Sequence, residues 1–96
     1  MDKSLSEIFK VLSDENRLKI IKIIAKEQKC ASQLIADLDI SQPTLSHHMK
    51  ILTDAKLVKP NKTGTQVYYE LEHEKVKSLC KFVREISCGA HRCGDN

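Results

Sequence analysis

Two short amphipathic stretches, residues 31–38 and 41–55, are separated only by Asp39-Ile40. Two residues leave room for nothing but a turn, so helices that follow each other here must lie against one another. In the first, Leu34, Ile35 and Leu38 recur at helical spacing and face inward. The second opens on Ser41-Gln42-Pro43. Serine is a good N-cap, and a proline in the first turn loses only an N–H that has no helical partner anyway. Leu45, Met49 and Leu52 form the apolar stripe of this helix, with His48 at its border, while Ser46, His47 and Lys50 point the other way.

The remaining chain supplies the setting. Leu5, Ile8, Phe9 and Leu12 predict a first helix over residues 3–12, and Ser13-Asp14 carries stop and N-cap chemistry. The next helix runs to about Lys26. It is apolar nearly all round (Leu18, Ile20, Ile21, Ile23, Ile24), with Lys19, Lys22 and Lys26 on a narrow wet face, which predicts a central position in the core. Residues 57–60 and 65–71 flank Asn61-Lys62-Thr63-Gly64. The second run alternates Val67, Tyr69 and Leu71 with Gln66, Tyr68 and Glu70, so the pair reads as a β-hairpin with a basic tip, Pro60 marking an edge or strand end. A last helix covers residues 73–87, with Val76, Leu79, Cys80 and Val83 as its stripe. Gly89 stops it before a polar tail over about 89–96. The expected fold is mainly α with a β-hairpin wing, a winged helix-turn-helix in the order α-α-α-α-β-β-α. It forms one domain over residues 1–96, small enough that oligomerisation is a common source of added stability.

Charge narrows the function. Lys50, Lys56, Lys59 and Lys62 face a single acid, Asp54, between Gln42 and Gln66. This stretch carries a local excess as large as the +3 of the whole chain. That suits a polyanion, although a solvated lysine face has the same composition. Aromatics make up 4% and tryptophan is absent, which argues against a stacking platform for single strands. There is no nucleophile–base–orienter set, phosphate loop or paired carboxylate, so an enzyme is not expected. No apolar run approaches the roughly 20 residues of a membrane span, and the N-terminus lacks signal-peptide layout, so the expected location is the cytoplasm. In a helix-turn-helix the second helix enters the major groove of duplex DNA. Gln42 can then contact adenine, Thr44 and Ser46 bases or phosphates, His47 a phosphate or guanine edge and Lys50 the backbone. Lys62 and Thr63 at the hairpin tip reach flanking backbone.

The run from Ile40 to Leu52 (ISQPTLSHHMKIL) resembles the recognition helix of the ArsR/SmtB family of metal-sensing repressors. The upstream VLSDENRLKI, from Val11 to Ile20, and the strand over residues 65–71 are similar to the same family, and the likeness spans about residues 4–87. It implies a homodimer, formed mainly by the first and last helices, that represses an operator and releases it when an inducer binds. It also implies DNA contacts at Gln42, Ser46 and His47.

Four cysteines are candidates for the sensor: Cys30, Cys80, Cys88 and Cys93. Thiolates select soft or borderline ions such as As(III), Cd(II), Pb(II) and Zn(II). Cys30 begins a helix, where a thiol pKa is lowered, with Lys29 beside it. The resemblance implies a Cys-x-Cys box at this place, but here it reads Cys30-Ala31-Ser32, with a poor hydroxyl ligand in second position. The zinc-type positions of the family's last helix fall on His73, Lys75, Ile86 and Gly89, of which only the first can coordinate. The tail Cys88-Gly89-Ala90-His91-Arg92-Cys93 could wrap an ion, with His91 as a further donor, or close a disulfide. Cys80 lies in the apolar stripe and reads first as core packing, second as a ligand. The expected inducer site joins Cys30 to Cys88 and Cys93, within one chain or across the dimer, with As(III) foremost. The alternative is a repressor of the same fold whose thiols sense oxidants or persulfides.

Overall fold

The computed structural model describes residues 3–88. The elements are α1 (Lys3–Val11), α2 (Glu15–Lys26), β1 (Lys29–Cys30), α3 (Ala31–Leu38), α4 (Gln42–Asp54), β2 (Val58–Thr63), β3 (Gln66–Leu71) and α5 (His73–Cys88). The tail beyond Cys88, with Gly89, His91 and Cys93, lies outside the described residues.

Local chemistry sets the helix ends. The Ser13 hydroxyl donates to the Lys10 carbonyl at 2.7 Å as α1 finishes. Asp14 Oδ1 then accepts the N–H groups of Asn16 and Arg17 at 2.8 and 3.2 Å, satisfying donors that the first turn of α2 leaves open. α3 closes on Asp39, in the left-handed region at φ 56°, whose N–H donates to the Ile35 carbonyl at 2.9 Å. An aspartate tolerates this conformation better than most residues, and it lets the chain reverse within two residues. Ser41 accepts the Thr44 N–H at 3.3 Å and starts α4, with Pro43 in the first turn. Lys56, also left-handed at φ 64°, follows the end of α4.

The sheet has order β1-β3-β2, antiparallel throughout. β2 and β3 pair from Val58↔Leu71 to Thr63↔Gln66, leaving a two-residue turn, Gly64-Thr65. Gly64 sits at φ 63°, where a glycine is favoured in hairpin turns of this length. The wing is therefore longer than the alternation indicated. Lys62 and Thr63 are strand residues below the turn rather than the tip itself, and Pro60 sits within edge strand β2, where its missing N–H disturbs no second neighbour. β1 was not anticipated, because two residues are too few to show a period. It pairs Lys29↔Tyr69 and Cys30↔Tyr68 on the other edge of β3.

The core gathers Ile20, Leu34, Leu45, Leu52, Leu57 and Val58, all but free of solvent. α2 is less central than its composition suggested. It buries Ile20 and Ile24, leaves Ile21 and Ile23 partly covered, and exposes half of Leu18. α5 buries no residue fully. Val76 and Leu79 of the expected stripe pack on the core, joined by Phe82, whereas Cys80 and Val83 are exposed. The packed row steps by three, from 76 to 79 to 82, so the inward face of α5 lies toward Phe82 rather than toward Cys80 and Val83. Phe82 makes an edge-to-face contact with Phe9 at 5.6 Å.

Leu34→Ala should destabilise the chain by about 2–5 kcal/mol in urea titration, the usual cost of emptying a filled core site.

Candidate nucleic-acid interface

Burial divides α4 lengthwise. Leu45, His48, Met49 and Leu52 are buried, and Gln42, Thr44, Ser46, His47 and Lys50 are exposed. The Ser41 hydroxyl, besides capping, donates to Thr44 Oγ1 at 2.8 Å, which fixes the Thr44 side chain at the helix start. His48 is buried, as expected of a packing histidine, and its Nδ1 lies 3.2 Å from Arg17 Nη1.

The basic character is weaker than the sequence count. Lys50 pairs with Asp54 at 3.4 Å, and Lys59 lies 3.8 Å from both Glu70 and Glu72. Those two acids sit outside the stretch counted in sequence, and strand pairing brings them beside Lys59. Lys62 and Thr63 remain exposed near the hairpin turn.

A groove of about 370 Å³ runs between α4 and the sheet, lined by Gln42, Ser46 and Lys50 on the helix and by Ala31, Pro60 and Tyr69 opposite. A second depression of about 310 Å³ shares Ala31, Gln42 and Tyr69 and adds Ser32, Gln66 and Val67. Tyr69, which the alternation of β3 marks only as a strand residue, lines both depressions.

The thiol box sits at this junction. Cys30 is buried, belongs to β1 and caps α3, and its N–H donates to the Gln33 side chain at 3.0 Å. Its Sγ lies 3.2 Å from Ser32 Oγ. The Ser32 hydroxyl, and after it the Gln33 backbone N–H, hold the Cys30 thiol below its ordinary pKa. The first-turn backbone N–H groups expected to act on this thiol contribute, but after the Ser32 hydroxyl. Lys29, the neighbour expected to assist, pairs instead with Glu27 at 3.7 Å. Cys80 is a free thiol on the surface of α5, and Cys88 at its end is disulfide-bonded. Among the described residues no three His, Cys, Asp or Glu side chains converge to hold a metal ion, so Cys30 and its neighbours do not by themselves make a complete site. Ser32→Ala should raise the Cys30 thiol pKa, read from thiolate absorbance against pH in a variant with the other three cysteines replaced by serine.

Comparison with known proteins agrees with this geometry. Residues 14–59 match the bacterial regulatory protein family arsR. The arsenical resistance operon repressor of Staphylococcus aureus is 40% identical over 91 residues, covering 95% of this chain and 88% of the relative. That of Staphylococcus xylosus is 49% identical over 72 residues, covering 75% and 69%. Among solved structures, an ArsR-like transcriptional regulator from Rhodococcus sp. RHA1 superposes with a TM-score of 0.78 at 25% identity, covering 88% of this chain and 80% of that one. No helix among the described residues is long and apolar enough to cross a membrane. The chain belongs to the ArsR family of bacterial regulatory proteins and is a winged helix-turn-helix, DNA-binding transcriptional repressor.

Proposed function

We propose that the protein acts in the cytoplasm as a single-domain homodimeric repressor. It holds duplex operator DNA with α4 and the wing, and lets go when its thiolates take up a soft metal or metalloid ion, As(III) foremost and Cd(II), Pb(II) or Zn(II) after it. The observation that carries this reading is the bare side of α4. Gln42, Thr44, Ser46, His47 and Lys50 stand exposed on a helix whose opposite side is locked in the core. Gln42 and His47 are suited to base edges, Thr44, Ser46 and Lys50 to bases or backbone, and Lys62 and Thr63 to flanking phosphates.

Dimerisation rests on α1 and α5. Phe9, Val83 and Ile86 are 39%, 46% and 63% exposed. With Leu79 and Phe82 they form an apolar face at helical spacing, continuous across the Phe9–Phe82 contact. A surface of this kind on a small soluble domain marks an interface. Ile86→Glu should convert dimer to monomer in sedimentation equilibrium.

For the inducer, Cys30 supplies one activated thiolate. The other donors must come from α5, from the tail beyond it or from the second protomer. Cys88, once reduced, with Cys93 and His91 are the candidates, and Cys80 is a weaker one. The relatives named as arsenical resistance repressors support a metalloid of this class. A ligand releases DNA only by binding the DNA-free arrangement more tightly.

Fluorescence anisotropy with the protein's own promoter tests the whole. Binding should weaken steeply with salt. Gln42→Ala or His47→Ala should each cost about 1–3 kcal/mol, whereas Lys62→Ala should weaken all sequences alike and lower the salt slope by about one. As(III) should release DNA from the reduced wild type and not from Cys30→Ser. Release by peroxide or persulfide with no response of the reduced protein to any of the four ions would replace the metal reading with thiol oxidation.

A further inference from the structure

Arg17 ties three helices together beneath the DNA-reading surface. Its Nε donates to the Val11 carbonyl, the last residue of α1, at 2.6 Å. Its Nη1 lies 3.2 Å from Nδ1 of His48 on α4, and its own backbone N–H is held by Asp14. The other ring nitrogen of His48, Nε2, is 4.0 Å from Asp14 Oδ1. A guanidinium has no acceptor, so His48 Nδ1 must accept from it. The imidazole is then neutral, with its proton on Nε2 toward Asp14. His48 is buried, and the next residue, His47, is exposed on the reading side.

We propose that Asp14, Arg17 and His48 are positioning residues for α4, and that protonation of His48 undoes the arrangement, so operator affinity falls in mild acid. This rests on α4 being the DNA-reading helix. A proton on Nδ1 replaces an accepted hydrogen bond with two donors of like charge facing each other at contact distance. Asp14 draws the new cation to its own side, and α4 loses its tie to Arg17 and, through it, to α1. The charged groups facing His48 are Asp14 and Arg17 from the α2 side and His47 from its own helix; α1 reaches it only through Arg17. Burial holds the His48 pKa below the ordinary histidine value. Asp14 partly offsets this, and Arg17 and His47 add to it. Asp14 itself stays ionised, its carboxyl lowered chiefly by the Arg17 backbone N–H. The direction follows. With the folded pKa depressed, the contribution of neutral His48 is complete above the unfolded value of about 6.5 and is lost as pH falls through the lower, folded value.

The test is operator affinity of the full chain by anisotropy from pH 7.5 to 5.5 at constant salt, for wild type and His48→Asn. The amide oxygen of the variant can accept from Arg17 and cannot be protonated in this range. His47 is present in both proteins, so the difference between them isolates His48. With the His48 pKa below its ordinary value of about 6.5, wild type should lose affinity several-fold, and less than about tenfold, relative to the variant across this range. Superimposable profiles would overturn the proposal. Should the variant not fold, NMR titration of the wild type decides. The His48 ring and the backbone amides of Ser46 and His47 should shift with one shared midpoint below 6.5, and a ring titration that leaves those amides unmoved would overturn it equally. Absence of operator binding at pH 7.5 would instead sink the reading of α4 itself.

Discussion

Leu45, Met49 and Leu52 are sunk into the core along one side of α4, against Ile20 and Leu34 of the preceding helices. Burying a large aliphatic side chain contributes roughly 1.5–3 kcal/mol, so three on one thirteen-residue helix fix its rotation firmly. The exposed side is consequently set by what is hidden. Ser46, His47 and Lys50 face outward because their neighbours cannot. Solvent-exposed polar side chains on a loop would carry the same chemistry without a defined direction. Here the core provides the direction, and the Ser41 cap and the left-handed Asp39 provide the point from which the helix starts.

Much of this was readable from sequence, because the helices announce themselves by period and by caps. Ser41, Pro43 and Asp14 mark boundaries through the chemistry of unpaired first-turn donors, and the structure uses Ser41 and Asp14 as caps. What escaped was whatever depends on a partner distant in the chain. β1 exists only because β3 offers Lys29 and Cys30 an edge. Lys59 is neutralised by Glu70 and Glu72, which strand pairing brings to it. Leu18, Val83 and Cys80 read as inward from local spacing, but Val76, Leu79 and Phe82 carry the packing of α5 on the core, which leaves Cys80 and Val83 outward.

The thiol chemistry was half legible. Position at a helix start pointed to a lowered Cys30 thiol pKa, and the direction agrees, although the Ser32 hydroxyl is its first cause. This role of the serine was not visible: the Ser32 hydroxyl touches the sulfur at 3.2 Å and favours its anionic form. One residue thus withdraws a donor from the box while sharpening the donor that remains. A soft ion would meet a single ready thiolate here and would need the rest of its coordination from elsewhere.

The short strand that carries Cys30 also changes what the wing is. β3 is held on one edge by β2 and, at Tyr68 and Tyr69, on the other by Cys30 and Lys29. Were the hairpin to pivot where β1 joins it, the arm from Tyr69 to the turn, about 13 Å long at the usual rise per strand residue, would act as a lever. A tilt of roughly ten degrees at the fulcrum would sweep the tip by about 2 Å, enough to lose a hydrogen bond to a phosphate. An adduct on one sulfur atom would thus be magnified mechanically, without any helix having to unfold.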